Sequence, residues 1–186
     1  MGLQQQQNLL ARLYTDADFR RAFLFEPEKI GAENDLTADE ISEIAAIMPE
    51  ELNFFADSLF QKRLREAEKF LPLTRNVLGG DFSKLFREFS RNFNPQSVKK
   101  HFEDALAFCR FLRDQTIADS AKTAAKFEQA KLEFFGLEKR FAFCRLDFDV
   151  RKISESEPDN PPHIPEKKKI IAVWLRIGRR IRHFYI

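Results

Sequence analysis

The chain has 186 residues, of which 44% are hydrophobic and 32% charged, and a formal net charge of +2. That length suits one sizeable domain or two small ones, the composition argues against disorder, and the small net charge gives no chain-wide reason to expect nucleic acid. The charge is unevenly spread: Glu26 to Glu51 is acidic, whereas Lys62 to Lys100 and Lys167 to Arg182 are basic.

In chain order, MGLQQQQNLL has neither a basic start nor an apolar run long enough for a signal peptide. No later segment reaches membrane-spanning length, so a soluble cytoplasmic protein is expected. Residues up to Tyr14 read as a short helix or a frayed lead-in. Thr15 is the expected N-cap of the next helix, with Asp16 and Asp18 in its first turn and Phe19, Ala22 and Phe23 as its apolar face. Pro27 opens the turn PEKIG, which Gly31 is expected to end in a left-handed conformation. Thr37 and Glu40 make a capping-box pattern ahead of Ile41, Ile44, Ala45 and Ile47.

The longest helical pattern runs from Pro49 to Leu78, and the rest of the chain is expected to pack around it. Leu52, Ala56, Leu59, Phe60, Leu64, Ala67 and Leu71 recur at intervals of three and four, which puts them on one helix face. Pro72 lacks the amide proton that a continuing helix needs, so a kink or break is expected near Phe70 and Leu71. Arg63 falls within the apolar stripe. A guanidinium there either snorkels or pairs within the fold, or it meets an external acidic ligand.

Gly79 and Gly80 interrupt the pattern, and Asp81 is the expected cap of a helix lined by Phe82, Leu85, Phe86, Phe89 and Phe93. Ser97 is expected to cap the following helix, whose stripe is Val98, Phe102, Ala105, Cys109 and Leu112, flanked by His101 and Phe108. From about Ala118 to Phe135 a further helix presents Ala121, Ala124, Phe127, Ala130 and Phe134, with Gly136 as its C-cap. After Gly136 the apolar period changes from 3.6 to 2. In FAFCRLDFDV, Ala142, Cys144, Leu146, Phe148 and Val150 face one side, and Arg145, Asp147 and Asp149 a solvated one. Ser154 to Glu166, rich in proline, is expected to be an exposed loop. KIIAVWLRI and RIRHFYI, joined by a turn at Gly178 and Arg179, complete a three-stranded antiparallel sheet under the preceding helix.

Little in this sequence points to catalysis. His101, His163 and His183 lie in different kinds of element without ligand spacing, and neither a nucleophile elbow nor a phosphate loop occurs. Cys109 and Cys144 sit far apart in apolar patterns and read as buried, reduced thiols. The basic C-terminal stretch interleaves Lys167 to Lys169, Arg176, Arg179, Arg180 and Arg182 with Trp174, His183 and Tyr185. Nucleic-acid binders combine cations with stacking rings in this way, although Trp174 lies in an unbroken apolar strand that suits a core. A basic sheet edge can equally receive an acidic peptide as an added strand.

Several stretches carry a family resemblance over almost the whole chain: LARLYTDADFRRAFL with PEKIG, PEELNFFADSLFQKRLREAEKFLPLTRNVLGGDF with LFREF, HFEDALAFCRFL, and IIAVWLRIGRRIRHFYI. They resemble the helical partner proteins that accompany, or are fused behind, multinuclear non-haem iron-dependent oxidative enzymes in ribosomal-peptide natural-product pathways, of which methanobactin biosynthesis is the best-known setting. The less generic part is Lys62, Arg63 and Arg65, then Leu71 to Arg75, then Leu78, Gly79, Asp81 and Phe82. The resemblance implies a non-catalytic subunit that binds the iron enzyme and helps present its precursor peptide, with the iron and its ligands belonging to that enzyme. This chain is also short for an oxidase barrel, which needs about 200 residues or more.

The expectation is therefore an α+β protein, with a helical domain over 1–117 and a helix plus antiparallel sheet over 118–186. It carries no cofactor, is not an enzyme and has no membrane segment. Charge near the kink marks Arg63, Arg75 and Arg87 as residues for peptide or partner contact, together with Arg176 and Arg180 of the basic sheet. The alternative is a nucleic-acid-binding module that uses the C-terminal sheet.

Overall fold

A computed structural model describes residues 3–153 and 166–186. The architecture is α+β: helices, then a small antiparallel sheet near the C-terminus. Two compact units divide the chain, Met1–Arg63 and Leu64–Ile186.

In the first unit, α1 (Leu3–Thr15), α2 (Ala17–Phe25), α3 (Pro27–Glu33) and α4 (Ala38–Ala45) lead into α5 (Pro49–Phe70). Leu9, Leu13, Phe23, Leu36, Ile41 and Ile44 form its buried core. Asp16, rather than Thr15, is the N-cap of α2, and its carboxylate accepts from the amides of Asp18 and Phe19. Thr15 instead closes α1, where its hydroxyl donates to the Ala11 carbonyl at 2.7 Å. The capping box of α4 is present, with Thr37 and Glu40 each accepting from the other's backbone amide.

Gly31 does not end α3 in a left-handed conformation. It lies buried inside the helix, and a Cβ there would collide with the Ile41 side chain. The positive φ falls instead on Asp35, at 60°. A glycine read as a stop signal is thus a point of close approach between two helices.

The second unit begins in the last turns of α5. The Pro72 break is present: Leu71 leaves helical geometry, with φ −125° and ψ 51°, and α6 (Pro72–Leu78) starts at the proline. Helix α7 (Asp81–Asn92) buries Phe82, Phe86 and Phe89 against α8 (Lys100–Asp114). Their ring centroids lie 5.2, 5.1 and 5.4 Å from that of Phe108. Phe108 is therefore the centre of an aromatic cluster rather than a flank. Gly80, not Asp81, precedes α7.

Helix α8 starts later than Ser97 suggests, because the Ser97 amide donates to the Glu103 carboxylate at 2.9 Å and holds residues 97–99 outside the helix. Val98 consequently stands fully exposed instead of joining the stripe. Helix α9 (Asp119–Gly136) packs on α8 and then over the sheet. Gly136 is the last residue of α9, and a Cβ on it would strike the Phe102 ring, while the left-handed residue beyond the helix is Glu138, φ 51°. The two helices flanking the expected domain boundary at 117 thus belong to one unit.

Strands β1 (Phe141–Phe148), β2 (Lys167–Ile177) and β3 (Arg180–Tyr185) pair antiparallel in the order β1-β2-β3. Phe134 of α9 and Cys144, Leu146, Phe148, Ile170 and Trp174 of the sheet make the core between them. The alternation of β1 holds through Phe148, although the pairing register with β2 shifts between Leu146 and Phe148. Asp149 lies past the end of the strand, buried before the short helix α10 (Val150–Ile153) and bonded to Arg151, not solvated beside Asp147. The proline-rich stretch at 154–165 lies outside the described residues.

Candidate functional site

The five marked arginines stand on five different elements, Arg63 at the end of the first unit and the other four in the second. Arg63 is half-buried on α5 and engaged within the fold. Arg75 is exposed on α6, and its Nε lies 3.2 Å from the Glu68 carboxylate. Arg87 is exposed on α7 and is likewise engaged.

The sheet register separates the other two. Cys144 pairs with Ala172 and Ala142 with Trp174, so Arg176, two residues beyond Trp174, shares the face covered by α9. Its guanidinium lies 5.4 Å from the centre of the Phe134 ring, and its Nε is buried without a hydrogen-bond partner. Arg180 pairs with Ile177 on the opposite face and is exposed. Of the two, Arg180 is the one presented to solvent.

That opposite face is apolar at its centre and basic toward β3. Phe143 pairs with Val173, which pairs with Phe184, so the two rings flank a valine that is only 7% exposed. Arg180 and Arg182 extend the row along β3, the last strand of the sheet, whose outer edge is unpaired among the described residues.

The face toward α9 holds the aromatics that nucleic-acid binding would use. Trp174 is 1% exposed and stacks on His183 with centroids 4.8 Å apart and planes 4° from parallel. Phe127 of α9 packs on Trp174 at 5.3 Å, and Arg151 lies over Tyr185 at 4.9 Å. Partial burial holds the His183 imidazole below its ordinary value, with Lys131 adding to the effect. Trp174 is spent on the core and is not available to stack a base.

One buried polar site was missed in the sequence. Glu128 of α9, 4% exposed, accepts from the Leu73 amide at 2.7 Å, the Thr74 amide at 2.9 Å and the Thr74 hydroxyl at 2.6 Å. These amides are left unpaired by the start of α6, so the carboxylate fastens the restarted helix to α9. Burial pushes the Glu128 carboxyl up to about 7, against the pull of the Thr74 and Leu73 hydrogen bonds. The legible signal was position: Glu128 lies four residues after Ala124 and seven after Ala121, inside the apolar stripe. Asp149, expected on the solvated face, is buried as well. Arg151 holds its carboxyl below the ordinary range through contacts of 2.8 and 2.7 Å.

Both thiols are free and buried, and burial raises them, that of Cys144 to about 11. Among the described residues, no three His, Cys, Asp or Glu side chains are grouped so as to hold a metal ion. Nor is any helix there long and apolar enough to cross a membrane. No protein-family model matches the chain, and no curated protein or solved structure matches it either.

Proposed function

We propose that the chain is a non-catalytic subunit that binds a multinuclear non-haem iron-dependent oxidative enzyme and helps recruit that enzyme's precursor peptide. The observation that carries this reading is the basic edge of β3, unpaired among the described residues, where Arg180 and Arg182 stand exposed beside Phe184. An extended acidic peptide adds to such an edge through backbone hydrogen bonds, while the arginines select its carboxylates. The resemblance of the kinked segment to the partner family supplies the enzyme; Arg63, Arg75 and Arg87 near that segment, with Arg176, remain its proposed contacts.

Co-expression of the tagged chain with a multinuclear iron enzyme and a short peptide encoded beside it tests this reading. Both are expected to co-purify with the chain, and Arg180→Glu is expected to weaken peptide capture about tenfold or more. Alanine at Arg63, Arg75 and Arg87 together is expected to abolish association in a folded protein. Unchanged capture by all of these variants would dismiss the assignment. Steeply salt-dependent binding of unrelated DNA or RNA would favour the nucleic-acid alternative instead.

A further inference from the structure

We propose that the groove along the free edge of β1 is a second docking site, which takes an extended acidic segment of a partner protein carrying a bulky apolar residue. It lies at the other end of the strand order from β3 and does not depend on the reading of that edge.

The groove is a cavity of about 540 Å³ between the end of α8, the outer side of α9 and β1, walled by Arg113, Lys126, Gln129, Glu133, Phe143 and Arg145. Its one carboxylate is already matched: Glu133 receives Lys139 at 2.8 Å and the Gln129 amide at 2.9 Å. Arg113, Lys126 and Arg145 are exposed, and among the described residues none has an acidic partner. Three unmatched cations around one cleft call for an anionic occupant.

The occupant also needs an apolar part. Phe143 is 56% exposed and Phe141 53%, with ring centroids 5.9 Å apart, on a strand that among the described residues is paired on one side only. An open edge offers amides and carbonyls to another extended backbone, which a small anion would leave unused. The cleft is held in shape from beneath, where the buried Cys144 thiol donates to the Lys126 carbonyl at 3.7 Å. A second copy of this chain is a poor occupant. It would bring the same three cations, and the exposed carboxylate on β1 is Asp147 alone.

The probe is a fluorescein-labelled peptide of about eight residues in which glutamate alternates with valine and phenylalanine, titrated by fluorescence polarisation. The full chain is expected to bind it saturably, with amide shifts at Phe143, Cys144 and Arg145 in heteronuclear spectra. Glutamate at Arg113, Lys126 and Arg145 together is expected to weaken binding about tenfold or more, and glutamine at the same positions by less, since like charge adds to lost attraction. Phe143→Ser is expected to weaken it severalfold, while Arg180→Glu, which acts on the β3 edge, leaves the peptide-induced shifts at Phe143, Cys144 and Arg145 in place. Circular dichroism and melting establish that each variant is folded; all the positions are exposed, and the glutamine triple serves if the glutamate triple is not. No saturable binding, equal affinity in the folded triples, or equal binding of polyglutamate without apolar residues would overturn the proposal. So would tighter binding of a single-stranded oligonucleotide at about 0.15 M salt. Loss confined to Arg180→Glu would move the peptide to β3, overturning this site and leaving the reading of β3 intact.

Discussion

Glu128 shows how one residue can hold a broken helix in place. A carboxylate with both oxygens occupied by α6 satisfies two amides at once, which a glutamine, with one acceptor oxygen, does not. Glu128→Gln is expected to cost about 1–3 kcal/mol by leaving one buried donor unmet, and Glu128→Ala more, both read by urea denaturation. The pH dependence follows from the folded protein holding this proton more tightly than the unfolded chain does. With the carboxyl raised from 4.5 to about 7, the folded state carries the extra proton between those values. The contribution is complete below pH 4.5, declines as pH rises and is gone above about 7, on the order of 3 kcal/mol across the window. His183, held below its ordinary value, acts in the opposite sense over part of that range. The difference between the parent and Glu128→Gln curves isolates the glutamate, and it is expected to slope downward for the parent from pH 5 to pH 7.5. A parent and variant with parallel curves would contradict it.

At the scale of elements, features written locally were legible and features completed by a distant partner were not. The capping box of α4 spans four residues, Pro72 stops α5 by itself, and the two-residue period of β1 needs no partner to be seen. Glu128 takes its meaning from Thr74, 54 positions away, and Phe108 from three rings on another helix. Gly31 and Gly136 follow the same rule, since glycine marks a turn or a close approach with the same letter. Gly136 permits Phe102 to lie across the end of α9, where its ring also meets Phe70 edge-on at 6.3 Å. Gly136→Ala is therefore expected to destabilise by about 1–3 kcal/mol. In a thermal-melt double-mutant cycle, Phe102→Ala is expected to remove most of that penalty. Additive losses would show that the ring is not what alanine meets. The candidate arginines were legible as charges on a helix or strand, but the face each one takes was not: Arg176 and Arg180 are four residues apart, yet the turn at Gly178 and Arg179 sends them to opposite sides of the sheet.

For the molecule as a whole, the sheet is the element through which sequence, packing and proposed function connect. One face is filled by α9 and Trp174, and the other keeps Phe143 and Phe184 in solvent between basic residues at β1 and β3. An exposed apolar centre with a cationic rim is the pattern of a surface that receives another polypeptide. On the proposed function, this surface would bind another polypeptide and the oxidation would belong to the iron enzyme. The most direct measurement is size-exclusion chromatography with light scattering on the chain mixed with a multinuclear non-haem iron enzyme of the proposed class, before and after addition of that enzyme's precursor peptide. The account predicts one complex containing both proteins, which takes up the peptide, and no turnover by the chain alone. Separate elution of the two proteins, or oxidation of the peptide by the isolated chain, would contradict it.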